Sequence, residues 1–115
     1  MKTYRMFIGG ESVGAAAGEE EVISNPATEE AIAKVPTGSA EDVERAVAAA
    51  STAFETWSDS TPADRSLMLL KLADRIEQHA EELAQLEAQN VGKPITLARS
   101  EVPFVVDNLR FFAGA

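Results

Sequence analysis

Residues 61–94 read TPADRSLMLLKLADRIEQHAEELAQLEAQNVGKP. Leu69, Leu72, Ala73, Ile76, Ala80 and Leu83 recur in it at helical steps. That spacing lines one side of a helix rather than the alternating faces of a strand. Thr61 offers a side-chain oxygen to the first free amides. Pro62 fits the first helical position, where its missing N–H has no partner anyway, and Asp64 sits third. Gly92 ends the pattern as a left-handed cap and Pro94 enforces the stop. A bend is expected near His79. The stretch therefore predicts a long amphipathic helix, the middle one of three.

Downstream, residues 99–114 read RSEVPFVVDNLRFFAG. Val102, Val105, Val106, Leu109 and Ala113 form one stripe, and Glu101, Phe104, Asn108 and Phe111 form another. A helix is expected to start between Thr96 and Ser100. Because Pro103 would clash with the carbonyl of Arg99, Ser100 is the expected N-cap, with Pro103 in the first turn.

Upstream, Ser39 is an N-cap candidate, and Glu41 and Asp42 suit the positive end of a helix dipole. Val43, Ala46, Val47, Ala50, Phe54 and Trp57 then trace one helical face. Before Pro36 the period changes. YRMFI at 4–8, a short return at Ser12–Val13, EEVIS at 20–24 and EAIAKVP at 30–36 read as strands separated by turn signals. The expected fold is α+β: an antiparallel β unit over residues 1–36, then a helical part over 39–115 with three amphipathic helices.

The chain has 115 residues and carries 10 basic against 19 acidic side chains, a net charge of −9. That charge repels nucleic-acid phosphates and anionic lipid, so neither nucleic acid nor membrane is an expected partner. The length suits one domain. Met1–Gly10 lacks an apolar run of signal-peptide length, and the expected location is cytoplasmic.

No cysteine is present, which removes thiolate chemistry, disulfides and the common structural zinc sites from this chain. The single histidine, His79, lies in the polar run EQHAEE. Neither GxSxG nor GxGxxG occurs, and the VGKP of 91–94 lacks the remaining positions of a phosphate loop. It reads as a helix cap and stop. The paired acids at 19–21, 41–42 and 81–82 are sequence neighbours and read as solvated. No catalytic residue is identified. The apolar side chains exceed what three helices and a small β unit need to cover one another, so the chain is expected to be part of a larger fold or to pair with the missing part.

In order and spacing, FIGGE, NPATEE, AEDVERAVAAASTAFETW, the 61–94 stretch and EVPFVVDNLRFFAGA resemble the amino-terminal part of an aldehyde dehydrogenase. The resemblance covers essentially the whole chain but only the opening of a family member. Its closing segments are most similar to members acting on amino-aldehydes such as gamma-aminobutyraldehyde. It implies the opening part of the family's α/β fold and, in the full-length enzyme, NAD- or NADP-dependent oxidation of an aldehyde to a carboxylic acid. The cysteine, the glutamate that activates water and the cofactor loop lie downstream in family chains, so this segment alone is expected to be inactive and to bind no cofactor. Its partners would be the small-molecule aldehyde, the remainder of the fold and other subunits of an oligomer. The resemblance also places Ser100, Glu101 and Phe104 along the tunnel that admits the aldehyde. It matches Ile23, through its carbonyl, and Asn90 to positions that help hold a monovalent cation; many relatives carry an aspartate where Asn90 stands, and Asn90 reads equally as a plain helix C-terminal residue. Glu101 would meet the distal amino group of an amino-aldehyde, or else serve only the helix dipole. A stand-alone helical interaction module without catalysis is the alternative reading.

Overall fold

The computed structural model describes residues 1–115. It divides into two compact units, Met1–Asp59 and Ser60–Ala115.

The first unit holds β1 (Lys2–Thr3), β2 (Met6–Ile8), β3 (Glu11–Val13), β4 (Glu20–Ser24), β5 (Ala31–Pro36) and α1 (Ala40–Trp57). β2 and β3 form a hairpin in which Ile8 faces Glu11. Its two loop residues, Gly9 and Gly10, both have positive φ, the geometry that suits the twist of a two-residue turn and that side chains resist. The other sheet has the order β1-β5-β4. β4 runs antiparallel to β5 with a bulge at Ile23/Ser24. Asn25 reverses the chain between them by accepting the Ala27 N–H on its side-chain oxygen at 2.9 Å.

The β unit is not wholly antiparallel: β1 pairs with β5 in parallel, Lys2 opposite Ala33. The run expected as one strand over 4–8 is shared between two sheets. Tyr4 donates its N–H to the Lys34 carbonyl at 2.9 Å, and Met6 already belongs to the hairpin. Alternation shows that a segment is extended but not which neighbour it meets, and the intervening strands supply the crossover that parallel pairing requires.

α1 begins as expected. Ser39 and Asp42 form a capping box, with Asp42 accepting the Ser39 N–H at 3.0 Å and its hydroxyl at 2.9 Å. The apolar stripe that follows is helical but uncovered within this chain: Val43, Val47, Phe54 and Trp57 are all exposed, Phe54 by 64%. Only Asp42 is buried along the whole helix.

The second unit holds α2 (Pro62–Gln78), α3 (Ala80–Val91) and α4 (Ile95–Gly114), so the molecule has four helices rather than three. The bend expected near His79 is a full break. His79 has φ −104° and ψ 18°, and its N–H closes α2 on the Arg75 and Ile76 carbonyls. The helices meet through small side chains. Ala73 on α2, Ala84 on α3, and Ala98 and Val106 on α4 are buried. With so little side chain between them, the backbones approach closely.

α4 also corrects an expectation. It starts at Ile95, directly after Pro94, whose carbonyl accepts the Leu97 and Ala98 N–H groups. Ser100 is therefore inside the helix, its hydroxyl bonded back to the Leu97 carbonyl at 2.8 Å, and Pro103 lies well past the first turn. The missing proline N–H costs the helix a bond. Burial of Ala98 and Val106 on either side of it holds the helix continuous, and Pro103 itself is exposed. No helix is long and apolar enough to cross a membrane.

Candidate functional site

The second unit contains an apolar groove of about 490 Å³ between α3 and α4. Leu83, Leu86, Val102 and Val105 give it greasy walls, while Glu87, Asn90 and Glu101 supply its polar groups. Local structure explains the polar side. α3 ends on Gly92, whose φ of 72° is the left-handed cap, and Pro94 at φ −55° opens α4. Lys93 lies between this cap and this proline. Its ammonium donates to Glu87 Oε1 at 2.8 Å and to Glu101 Oε2 at 2.5 Å. α3 has no basic residue in its last turn, and Lys93, just beyond it, brings a cation to the negative end of that helix. The Glu101 and Glu87 carboxylates hold the lysine above its ordinary range by hydrogen bonding, against a smaller opposing effect of desolvation.

Two arginines of α4 brace this arrangement. Arg99 reaches the first turn of α3 through Glu81, and Arg110 reaches Asp74 and Glu77 on α2. Hydrogen bonds from Arg99, then from Gln85, bring the Glu81 carboxyl down to about 2.

The first unit has its own groove, about 760 Å³, between the hairpin residues Phe7–Gly10 and the alanines of α1. Thr52 is the one side chain there with a polar group, so nothing in that groove moves a proton or holds a charge. The buried polar residue of this unit is Asp42, 2% exposed. Besides Ser39 it accepts the Ala16 N–H on both oxygens, at 3.0 and 3.1 Å, and approaches Arg45 at 3.4 Å. The Ser39 N–H is the largest influence lowering its carboxyl below the ordinary value; burial works the other way.

The positions singled out in the sequence are distributed unevenly. Glu101 lies in the groove, half-buried and paired to Lys93. Phe104 is 69% exposed, and Ser100 is exposed with its hydroxyl bonded within the helix. Val102, Leu109 and Ala113 join Val106 on the packed face, whereas Val105 stays exposed along the groove. Ile23 sits at the β4 bulge in the first unit, and Asn90 lines the groove in the second. These two offer neutral oxygens only, and no three His, Asp or Glu side chains cluster as a metal site. His79 pairs with Glu82 at 3.0 Å on the exposed side.

Lys93 is the site residue that sequence reasoning passes over. The Gly-Lys-Pro run reads as a stop signal, and the lysine's partners are six and eight residues away on different helices. The available clue is two glutamates flanking a three-residue reversal.

With this geometry in view, residues 13–115 match the model of the Aldehyde dehydrogenase family. Among curated relatives, the 2-aminomuconic semialdehyde dehydrogenase of Mus musculus is 49% identical over 92 residues, 79% of this chain and 19% of that protein. The NADP/NAD-dependent aldehyde dehydrogenase PuuC of Escherichia coli (strain K12) is 43% identical over 114 residues, 96% of this chain and 23% of that protein. Among solved structures, the NAD+ complex of an aldehyde dehydrogenase from Bacillus cereus superposes with a TM-score of 0.94 at 45% identity, covering 97% of this chain and 23% of that one. The chain thus spans about a fifth to a quarter of the length of the relatives it matches.

Proposed function

The chain belongs to the aldehyde dehydrogenase family, and from that premise we propose that it is the amino-terminal segment of an enzyme that oxidises an aldehyde to a carboxylic acid with NAD or NADP. The observation that carries this reading is the match over residues 13–115 together with the close superposition on an NAD+-bound family member. The nicotinamide would accept the hydride. Having no cysteine, this chain cannot supply a thiolate to the carbonyl. Its contribution is binding and shape: the α4 segment carrying Ser100, Glu101 and Phe104 lines the path by which the aldehyde enters. Ile23, through its carbonyl, and Asn90, through its amide, are each positions that would offer a neutral oxygen to a monovalent cation.

The finer reading is an amino-aldehyde substrate, as in gamma-aminobutyraldehyde dehydrogenases. What supports it is the apolar groove beside Glu101, whose walls would take an alkyl chain, while a terminal ammonium would compete with Lys93 for the carboxylate. A relative named for a semialdehyde with an amino group points the same way. The remainder of the fold and further subunits are the partners that would cover the exposed apolar face of α1.

The test is a splice. Residues 13–115 replace the matching segment of the Bacillus cereus enzyme, and NADH formation is followed with aldehydes of differing chain and charge. The spliced enzyme is expected to oxidise aldehydes, and the 115-residue chain alone to form no NADH. A folded splice without activity, or turnover by the chain alone, overturns the reading. The exposed stripe Val43, Val47, Phe54 and Trp57 also suits a stand-alone interaction module. A monomeric chain that binds a protein partner while its splice is inert would favour that second reading.

A further inference from the structure

The groove between α3 and α4 has two carboxylates at its polar side and one ammonium between them. The Glu87 and Glu101 side chains keep 44% and 45% of their surface exposed, whereas Lys93 keeps 22%. The carboxylates therefore still face incoming solutes. Their charge is met first by a cation of the chain itself, one that cannot diffuse away. Gly92 and Pro94 hold its backbone, so the local concentration of that ammonium is permanently high. The walls below it are aliphatic and take an alkyl chain of either kind, charged at its end or neutral.

We propose that Lys93 is a tethered counter-ion that determines which ligands the groove accepts: it occupies Glu101 and so disfavours alkyl-ammonium ligands relative to neutral alkyl ones of the same length. It is a positioning residue, acting through Glu101. This deepens the reading that α4 lines the aldehyde path and rests on it for its biological role. An amino-aldehyde meets Glu101 in competition with Lys93, and replacing Lys93 with a neutral side chain would open the groove to such substrates.

The probe is n-butylammonium chloride, with n-butanol at equal ionic strength as its neutral match. Binding is read from the methyl resonances of Leu83, Leu86, Val102 and Val105 in the full 115-residue chain. Lys93→Met and Lys93→Gln are each expected to bind n-butylammonium about fivefold more tightly than the wild type, the scale of one partly exposed ion pair. Their affinity for n-butanol stays unchanged. Lys93→Arg, which keeps the charge, stays at the wild-type value, and adding Glu101→Gln to Lys93→Met cancels the gain. Equal n-butylammonium affinity in both neutral variants and the wild type overturns the proposal. So does a gain that survives Glu101→Gln, or the absence of saturable methyl shifts in every variant. Because neither probe is oxidised, this result is separate from the splice: a gain here beside an inert splice counts against the enzymatic reading alone.

Discussion

Arg99 grips Glu81 with two parallel bonds, Nε to Oε2 at 2.9 Å and an amino nitrogen to Oε1 at 2.7 Å, and thereby ties the first turn of α3 to the second turn of α4. Both side chains are exposed, so the pair acts in high dielectric and weakens with salt. Its paired geometry gives it direction all the same.

The acid limb of stability should report this pair. Glu81 drops from an ordinary 4.5 to about 2 in the folded chain. A carboxyl lowered on folding contributes stability above its unfolded value and loses it as pH falls through the folded one. Glu81→Gln should therefore lower the Tm slightly at neutral pH and flatten its decline between pH 4.5 and about 2. Thermal scans across that range in low and high salt check it, and the difference from wild type should shrink in salt.

Asp42→Asn should loosen residues 14–18 more than any other part of the first unit. The carboxylate is what holds the Ala16 N–H, and it closes the capping box of α1. An amide keeps one acceptor oxygen but brings a donor to a place where both oxygens now accept. Hydrogen exchange at Ala16 and Ser39 should rise about tenfold or more, with a smaller rise through the first turn of α1. Unchanged exchange at Ala16 would mean that the loop is held by something else.

Pro103→Ala should stabilise the second unit. The substitution restores an N–H for the Arg99 carbonyl in the middle of a continuous helix, at an exposed position where no packing is lost. The expected gain is about 2 kcal/mol in urea unfolding. A loss would show that the proline shapes α4 in a way the packing needs.

Phe54→Ser should barely move the stability of this chain, by less than about 0.5 kcal/mol, since the ring is mostly exposed. In the spliced enzyme the same change should cost several times more if the rest of the fold covers α1. Comparing the two urea midpoints measures how much of that helix waits for a partner.

The caps of α1 and α2 were legible in the sequence because each is a conversation over three residues, Ser39 with Asp42 and Thr61 with Asp64. Gly92 was legible because few residues tolerate its φ. The start of α4 was not. Ser100 has the chemistry of a cap, and nothing local says that Ile95–Arg99 are already helical. The partner of β1 lies some thirty residues downstream, beyond any periodicity. The burial of the α1 stripe failed for another reason. Periodicity reports which face is apolar, not whether anything covers it, and here that face stays exposed. Of the residues lining the groove, Glu101 was singled out through its resemblance to a family position. Its lysine partner was missed because the two meet only after the chain doubles back.

That reversal has a consequence for how the chain reaches its structure. Only Gly92, Lys93 and Pro94 separate α3 from α4. The proline's fixed φ leaves that position little freedom to lose, the glycine enters the left-handed turn without steric cost, and the loop is short to close. The α3–α4 hairpin is thus the earliest tertiary contact this unit can afford, built between neighbours in sequence before α2 has to be found. The residues that bring Lys93 to its carboxylates are also those that give folding a place to begin.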